Sequence, residues 1–286
     1  MAALAVTAIA VLGSGAPTGA AGLAPGSGTP AGVAGLALGS GTPAGVAGPV
    51  PVVTRSGILP PKNPPKDLAP DPNFYAHCAP GALDDTVACN SKALQAIDRA
   101  RANERIGSLR FNLGKFLELS VADQLFVIAD LERVSRGESP MTALTIQLDR
   151  VAQAGANSGT DPDFSTAKLS GGADVRAWGS NWAGGSESAL GSDYGWMYDD
   201  GFGSDNGGCI SPSAKGCWGH RDNILRVWTS DLAGCPAASS QLVMGAAHAK
   251  SSKWGTSFAE IFMAACGPKP AGEVYTWAEA ETAVGI

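Results

Sequence analysis

Residues 218–225 read Trp-Gly-His-Arg-Asp-Asn-Ile-Leu. Arg221 to Trp228 has the pattern of one or two helical turns, so His220 stands in the loop just before a helix start. An imidazole there orients the loop by hydrogen bonding, while the Arg221 guanidinium and the Asn223 amide are suited to tying loop carbonyls beside the helix. Upstream lie Cys209 and Cys217, and further back Ser188 to Asp199 has the length of a short helix. Downstream, residues 241–249 (QLVMGAAHA) and 256–265 (TSFAEIFMAA) are apolar enough for strands.

Nearer the N-terminus the pattern is helical. Ser91 to Glu104 spaces Leu94, Ile97 and Arg101 for a first helix. Ser120 with Asp123 resembles a capping box and opens a second, carrying Leu125, Ile128, Ala129, Leu131 and Val134 at a 3.6-residue period. Gly137 and Pro140 end it. The spacing of Leu144, Leu148, Val151 and Ala152 predicts a third helix over 142–157. Leu109 to Leu119 connects the first two, and 158–195, rich in Gly, Ser and Trp, is expected to hold loops and short strands before the Ser188 helix. Helices first and strands late favour helices packed on a sheet over a repeating parallel βαβ design.

The chain carries six cysteines and a formal charge of −6. An even number of cysteines without C-x-x-C spacing indicates disulfides formed in an oxidising compartment. Short loops close most easily, giving Cys78–Cys89, Cys209–Cys217 and Cys235–Cys266 as the expected pairs. The acidic balance speaks against a nucleic-acid partner, which needs a basic face. No Lys, Arg, Asp or Glu precedes Arg55. Residues 2–12 form an apolar run of signal-peptide length, too short for a membrane span, followed by small residues at Gly19, Ala20 and Ala21. A positive n-region is missing. Residues 22–34 (GLAPGSGTPAGVA) are nearly repeated at 35–47 (GLALGSGTPAGVA). Gly and Pro at this density build no core, and the stretch ends in the stiffer PPKNPPKD of 60–67. The expected organisation is therefore a signal peptide over 1–21, a disordered Gly/Ala/Pro-rich tether over 22–72 and a folded domain over 73–286.

The widely used catalytic signatures H-E-x-x-H, G-x-S-x-G and G-x-x-x-x-G-K are absent, and there are three histidines. Against that background WGHRDNIL resembles the G-H-R-x-N-I-L signature of bacterial domains of the CAP (SCP-like extracellular) superfamily. Weaker landmarks follow in the family's order over residues 120–266. Ile128 to Gly137 (IADLERVSRG) with Ser139-Pro140 is similar to the first family helix and its Pro-rich exit. Ala152 to Ala156 (AQAGA) is similar to A-Q-x-H-A, and Gly179 to Gly185 (GSNWAGG) to G-E-N-I-A-G-G. Trp196-Met197 matches the W-M that precedes the G-H-R loop.

The resemblance implies an α+β fold, a three-layer αβα sandwich, with a surface cleft lined in the family by two histidines and two acidic residues. Carried over, His220 matches one histidine, and Asp199, three residues after Trp196, matches an acid. Ser180 replaces the G-E-N glutamate. The second histidine is lost, although Asp161 or Asp163 falls in its region. One imidazole with one carboxylate is too few donors for zinc, so no metal and no other cofactor is expected in the cleft. A rival zinc set of Cys209, Cys217 and His220 would need thiolates that an oxidising compartment removes.

Two functional classes remain with a structural one behind them. The leading expectation is a secreted, non-enzymatic binding module for a lipid, glycan or protein partner at the cell envelope. Its cleft would be lined by Trp178, Asn181, Trp182, His220, Asp161 and Asp163. The alternative is a weak or unusual hydrolase centred on His220, Asp199 and Ser180, and the third is a structural, wall-associated module. Core packing is the expected role of Trp196 and Trp228, while His77 and His248 are expected to be bystanders.

Overall fold

The computed structural model describes residues 63–64, 74–165, 169–251, 253–268 and 272–286. The expected signal peptide lies outside these residues, as does the tether apart from Asn63 and Pro64. The described chain is a mixed α+β fold of seven α-helices and one five-stranded sheet.

The first helix, α1 (Val87–Asn103), starts four residues earlier than its apolar spacing indicates, because the Thr86 side chain accepts from the Cys89 N–H and caps it. A short α2 (Leu113–Leu117) follows in what the sequence presents as a connection; Asn112 caps it. In α3 (Val121–Val134) the Ser120 hydroxyl oxygen accepts from the Asp123 N–H, the cap its sequence announces. The next segment departs from expectation. Residues 142–157 are not one helix: β1 (Ala143–Thr145) comes first and α4 (Ile146–Ser158) follows, with Thr145 both ending the strand and capping the helix. Leu144 and Leu148 are compatible with one helical face, but Leu144 is instead paired between Met244 and Tyr275 on neighbouring strands.

The expected loops of 158–195 contain a single long strand, β2 (Asp174–Gly184), then α5 (Ala189–Tyr198) capped by Ser188. The elements α6 (Gly219–Leu225), β3 (Ser240–Ser251), β4 (Gly255–Cys266), β5 (Glu273–Thr276) and α7 (Trp277–Val284) complete the chain. Thr276 and Glu279 form a reciprocal capping box at the start of α7.

The sheet order is β2-β4-β3-β1-β5. All neighbours are antiparallel except β1 and β3. Side chains alternate across it. Leu242, Met244, Ala246, Phe258, Phe262 and Ala264 join a cluster with residues of α1, α3 and α5. Val243, Ala247, Ile261 and Met263, from the other face, meet Leu148, Ala152 and Ala156 of α4. Strands covered on both faces explain why β3 and β4 are apolar almost without interruption; each fully buried Leu, Ile or Phe contributes about 1.5–3 kcal/mol. The approach of α4 to β3 is close: a Cβ on Gly245 would lie 2.1 Å from the Leu148 carbonyl carbon.

The three short-loop cysteine pairs are disulfides, Cys78–Cys89, Cys209–Cys217 and Cys235–Cys266. No helix among the described residues is long and apolar enough to cross a membrane.

Candidate functional site

The site is built on the outer edge of β2, the strand at one end of the sheet. An open strand edge exposes unpaired backbone groups and needs cover. Here α6 provides it: the Asn223 amide donates to the Ser180 carbonyl at 2.8 Å and to Asn181 Oδ1 at 3.0 Å. Gly179 is what lets α6 come so near, since a Cβ there would lie 2.4 Å from Asn223 Oδ1. The loop after α4 covers the same edge, with the Ser180 hydroxyl donating to the Pro162 carbonyl at 2.7 Å.

Asp200, two residues past the end of α5 and 1 % exposed, organises the approach to α6. Its carboxylate accepts from the Asn206 amide at 2.6 Å and from the His220 N–H at 3.0 Å. Asn206 also donates to the Gly216 carbonyl, closing the loop that Cys209–Cys217 crosslinks. Trp218 adopts a left-handed backbone (φ 63°), costly for a bulky residue. Its N–H donates to the Asp200 carbonyl, and the turn it makes aims the following N–H groups at the Asp200 carboxylate. On the far side of the helix, Arg221 is fully buried, donating to the Met197 carbonyl at 2.6 Å and pairing with Glu104 at 2.7 Å. His220 is thus held by its own backbone, by Asp200 in front and by Arg221 behind.

The His220 ring is half-buried, with Nδ1 2.7 Å from Asp200 Oδ1. A carboxylate only accepts, so Nδ1 carries the proton and Nε2 is the free position. Nε2 faces Asp161 Oδ1 at 3.9 Å. Burial works against an imidazolium, but the hydrogen bond and charge of Asp200, with Asp161 beyond, raise the His220 pKa above its ordinary value. Partial desolvation raises the Asp161 pKa, against the pull of His220. Asp161 and Asp163 also wall an open depression of about 390 Å³ alongside α4, together with Arg150, Ser158 and Thr160.

Several sequence-predicted residues are placed differently. The acid that meets His220 is Asp200 rather than Asp199: α5 ends at Tyr198, and the turn beyond it brings the second aspartate, not the first, to the imidazole. The Ser180 hydroxyl is engaged by the Pro162 carbonyl, which leaves it without a base to activate it as a nucleophile. Asn181 is fully buried beneath α6 rather than in a cleft. Trp178 and Trp182 pack against the α4-side cluster, and Trp182 donates to Ser257 Oγ at 2.7 Å, so neither lines the depression. Asp163 is exposed and accepts from the Ser165 N–H. Trp196 and Trp228 are core, as expected. Asp200 and Asn206 were not singled out from the sequence; the turn-prone Asp205-Asn206-Gly207 run was the available signal for the second.

Comparison with known protein families, curated proteins and solved structures finds no match. The chemistry must therefore be judged from the residues. For a metal, His220 Nε2 and Asp161 supply two donors, short of the three or four that hold zinc, and the Cys209 and Cys217 sulfurs are bonded to each other. The residues present do not fit a zinc centre. They do form an oriented imidazole whose free nitrogen accepts a proton or a hydrogen bond at a polar, open rim.

Proposed function

We propose that this chain is a secreted CAP-like domain of three-layer αβα type that binds a polar ligand, a glycan of the cell envelope, at the rim formed by His220 and Asp161. The observation that carries this reading is the Asp200-held imidazole, with Nε2 facing Asp161 beside the covered β2 edge. Sugar hydroxyls can donate to both acceptors, Nε2 and the Asp161 carboxylate, and the adjoining depression offers further polar partners in Arg150, Ser158 and Thr160. The CAP-like assignment is supported by the ordered motifs of residues 120–266, by helices on both faces of the sheet and by α6 starting on Gly219 of the G-H-R run. Secretion is supported by three closed disulfides.

The test is a titration of the full chain with soluble peptidoglycan fragments and, separately, phospholipid vesicles, followed by backbone amide NMR. The reading expects glycan-induced shifts at Asp161, Asp163 and His220 that vanish in a folded His220→Ala variant. Binding to vesicles alone, or glycan shifts that survive in His220→Ala, overturns it.

A second reading has one specific observation in its favour. The Asp200–His220 pair has the orientation of a general base, and a water held between Nε2 and Asp161 would be the nucleophile, without Ser180. Release of reducing ends from peptidoglycan by wild type and not by Asp200→Asn would favour hydrolysis over simple binding.

A further inference from the structure

Directly behind the rim, the polar interior holds a carboxyl group with no part in the contacts described so far. We propose that Glu260 is a positioning residue for His220, acting through the Asn181 amide that bridges the two. Glu260 sits in the middle of β4, paired in register with Asn181, and is 1 % exposed. The Asn181 Nδ2 group donates to Glu260 Oε1 at 2.8 Å and to the His220 carbonyl at 3.1 Å, while Asn181 Oδ1 accepts from Asn223. Both N–H bonds of the amide and its oxygen are therefore committed.

Geometry makes Glu260 the acceptor that completes the hold on this bridge. Rotating the Asn181 amide by half a turn would set its oxygen against the His220 carbonyl oxygen and its NH₂ against the Asn223 NH₂. An acceptor at Glu260 holds the one orientation in which the amide grips the start of α6. The same grip fixes the His220 backbone, and with it the ring that Asp200 clamps at Nδ1.

Asp193 on α5 and Asp130 on α3 are electrostatic neighbours of Glu260. Among the buried arginines, Arg101 and Arg136 pair with Glu132, Arg221 pairs with Glu104, and Arg133 donates to the Ile224 and Ser139 carbonyls. Burial drives the Glu260 pKa well above the ordinary carboxyl value, with Asn181 opposing and Asp130 adding to the shift. A glutamine at this position would keep the shape and the oxygen that accepts from Asn181.

The readout is the imidazole titration of His220 in the full chain, followed by long-range ¹H–¹⁵N NMR and assigned by the signal lost in His220→Gln. It is independent of any ligand, so its failure leaves the glycan reading untouched and the converse also holds. Glu260→Gln is expected to titrate as wild type. Glu260→Met, which keeps volume and removes the acceptor, is expected to lower the His220 pKa by about 0.5–1 unit as the hold on Asp200 loosens. A residue of merely structural importance would lower the melting temperature and leave the titration unmoved. A folded Glu260→Met that titrates as wild type overturns the proposal, as does a Glu260→Gln that behaves like Glu260→Met. If Glu260→Met does not fold, Asn181→Ser is read the same way: an unshifted His220 titration in that variant overturns it too.

Discussion

Asp200 serves four purposes with two oxygens: it fixes the His220 tautomer, receives the His220 N–H, anchors Asn206 and raises the imidazole pKa. Asp200→Asn is therefore expected to drop the His220 pKa by about 1 unit or more and to destabilise the domain by roughly 2–4 kcal/mol, because an NH₂ would face donors in a buried place. NMR titration and urea unfolding check the two parts separately. Ser180→Ala should cost only about 0.5–1.5 kcal/mol, the value of one hydrogen bond, and leave the His220 titration unchanged. The short helix at His220 was legible in the sequence, since Arg221 to Trp228 carries a helical pattern and α6 covers Gly219–Leu225. The acid that meets His220 was missed by one position, for a physical reason: inside α5 the direction of a side chain follows from spacing, but Asp199 has non-helical dihedrals (φ −126°, ψ 47°), and beyond it spacing no longer fixes direction. Nothing in the sequence marks the left-handed Trp218 that aims the following N–H groups.

Elements with strong local signals were readable: α3 through its Ser120 cap and apolar period, and β3 and β4 through their apolar runs. Elements that owe their form to partners far along the chain were not. The three residues of β1 are a strand because β3 and β5 flank them, and β2 is extended despite its glycines because β4 pairs along its length. One of those glycines, Gly179, is bare so that Asn223 can reach the strand edge. This distinction separates two outwardly similar substitutions. Gly245→Ala would drive a methyl into the Leu148 backbone and is expected to cost about 3 kcal/mol or more. Gly195→Ala, on α5 with nothing within 4 Å of the added carbon, is expected to stabilise by about 0.5–1 kcal/mol through helix propensity. Chemical denaturation of the two variants would check both signs, and a well-tolerated Gly245→Ala would contradict the close packing of α4 on β3.

At the scale of the molecule, several ionisable groups among the described residues are enclosed between the sheet and the helices α1, α3, α5 and α6. Glu132, fully buried, is held by Arg101, Arg136 and the Tyr198 hydroxyl; burial alone would raise its pKa, but the two arginines bring it below the ordinary value. Its neighbours go the other way. Burial lifts Asp130 to about 8, with Arg133 only partly opposing, and lifts Glu260 and Asp193 strongly; on α4, across the sheet, burial lifts Asp149 to about 6. For an acid whose pKa is raised on folding, the native state binds more protons than the unfolded chain, so stability declines as pH climbs from the unfolded value near 4 through the folded one. His220 adds the same sign: its raised pKa stabilises below about 6.5, a contribution lost as pH passes its folded value. His248, lowered by burial, acts in the opposite direction, and Glu132 withdraws its stabilisation as pH falls from about 4.5 through its lowered folded value. Asp130, Asp149, Asp193 and Glu260 with His220, set against His248 and Glu132, place the maximum in mildly acidic solution. Urea unfolding at a series of pH values is expected to show a loss of at least about 2 kcal/mol between pH 5 and pH 8, and Asp130→Asn, which keeps the acceptor for the Met141 N–H, to flatten that slope. A stability that rises from pH 5 to pH 8 would contradict the upward direction of these shifts.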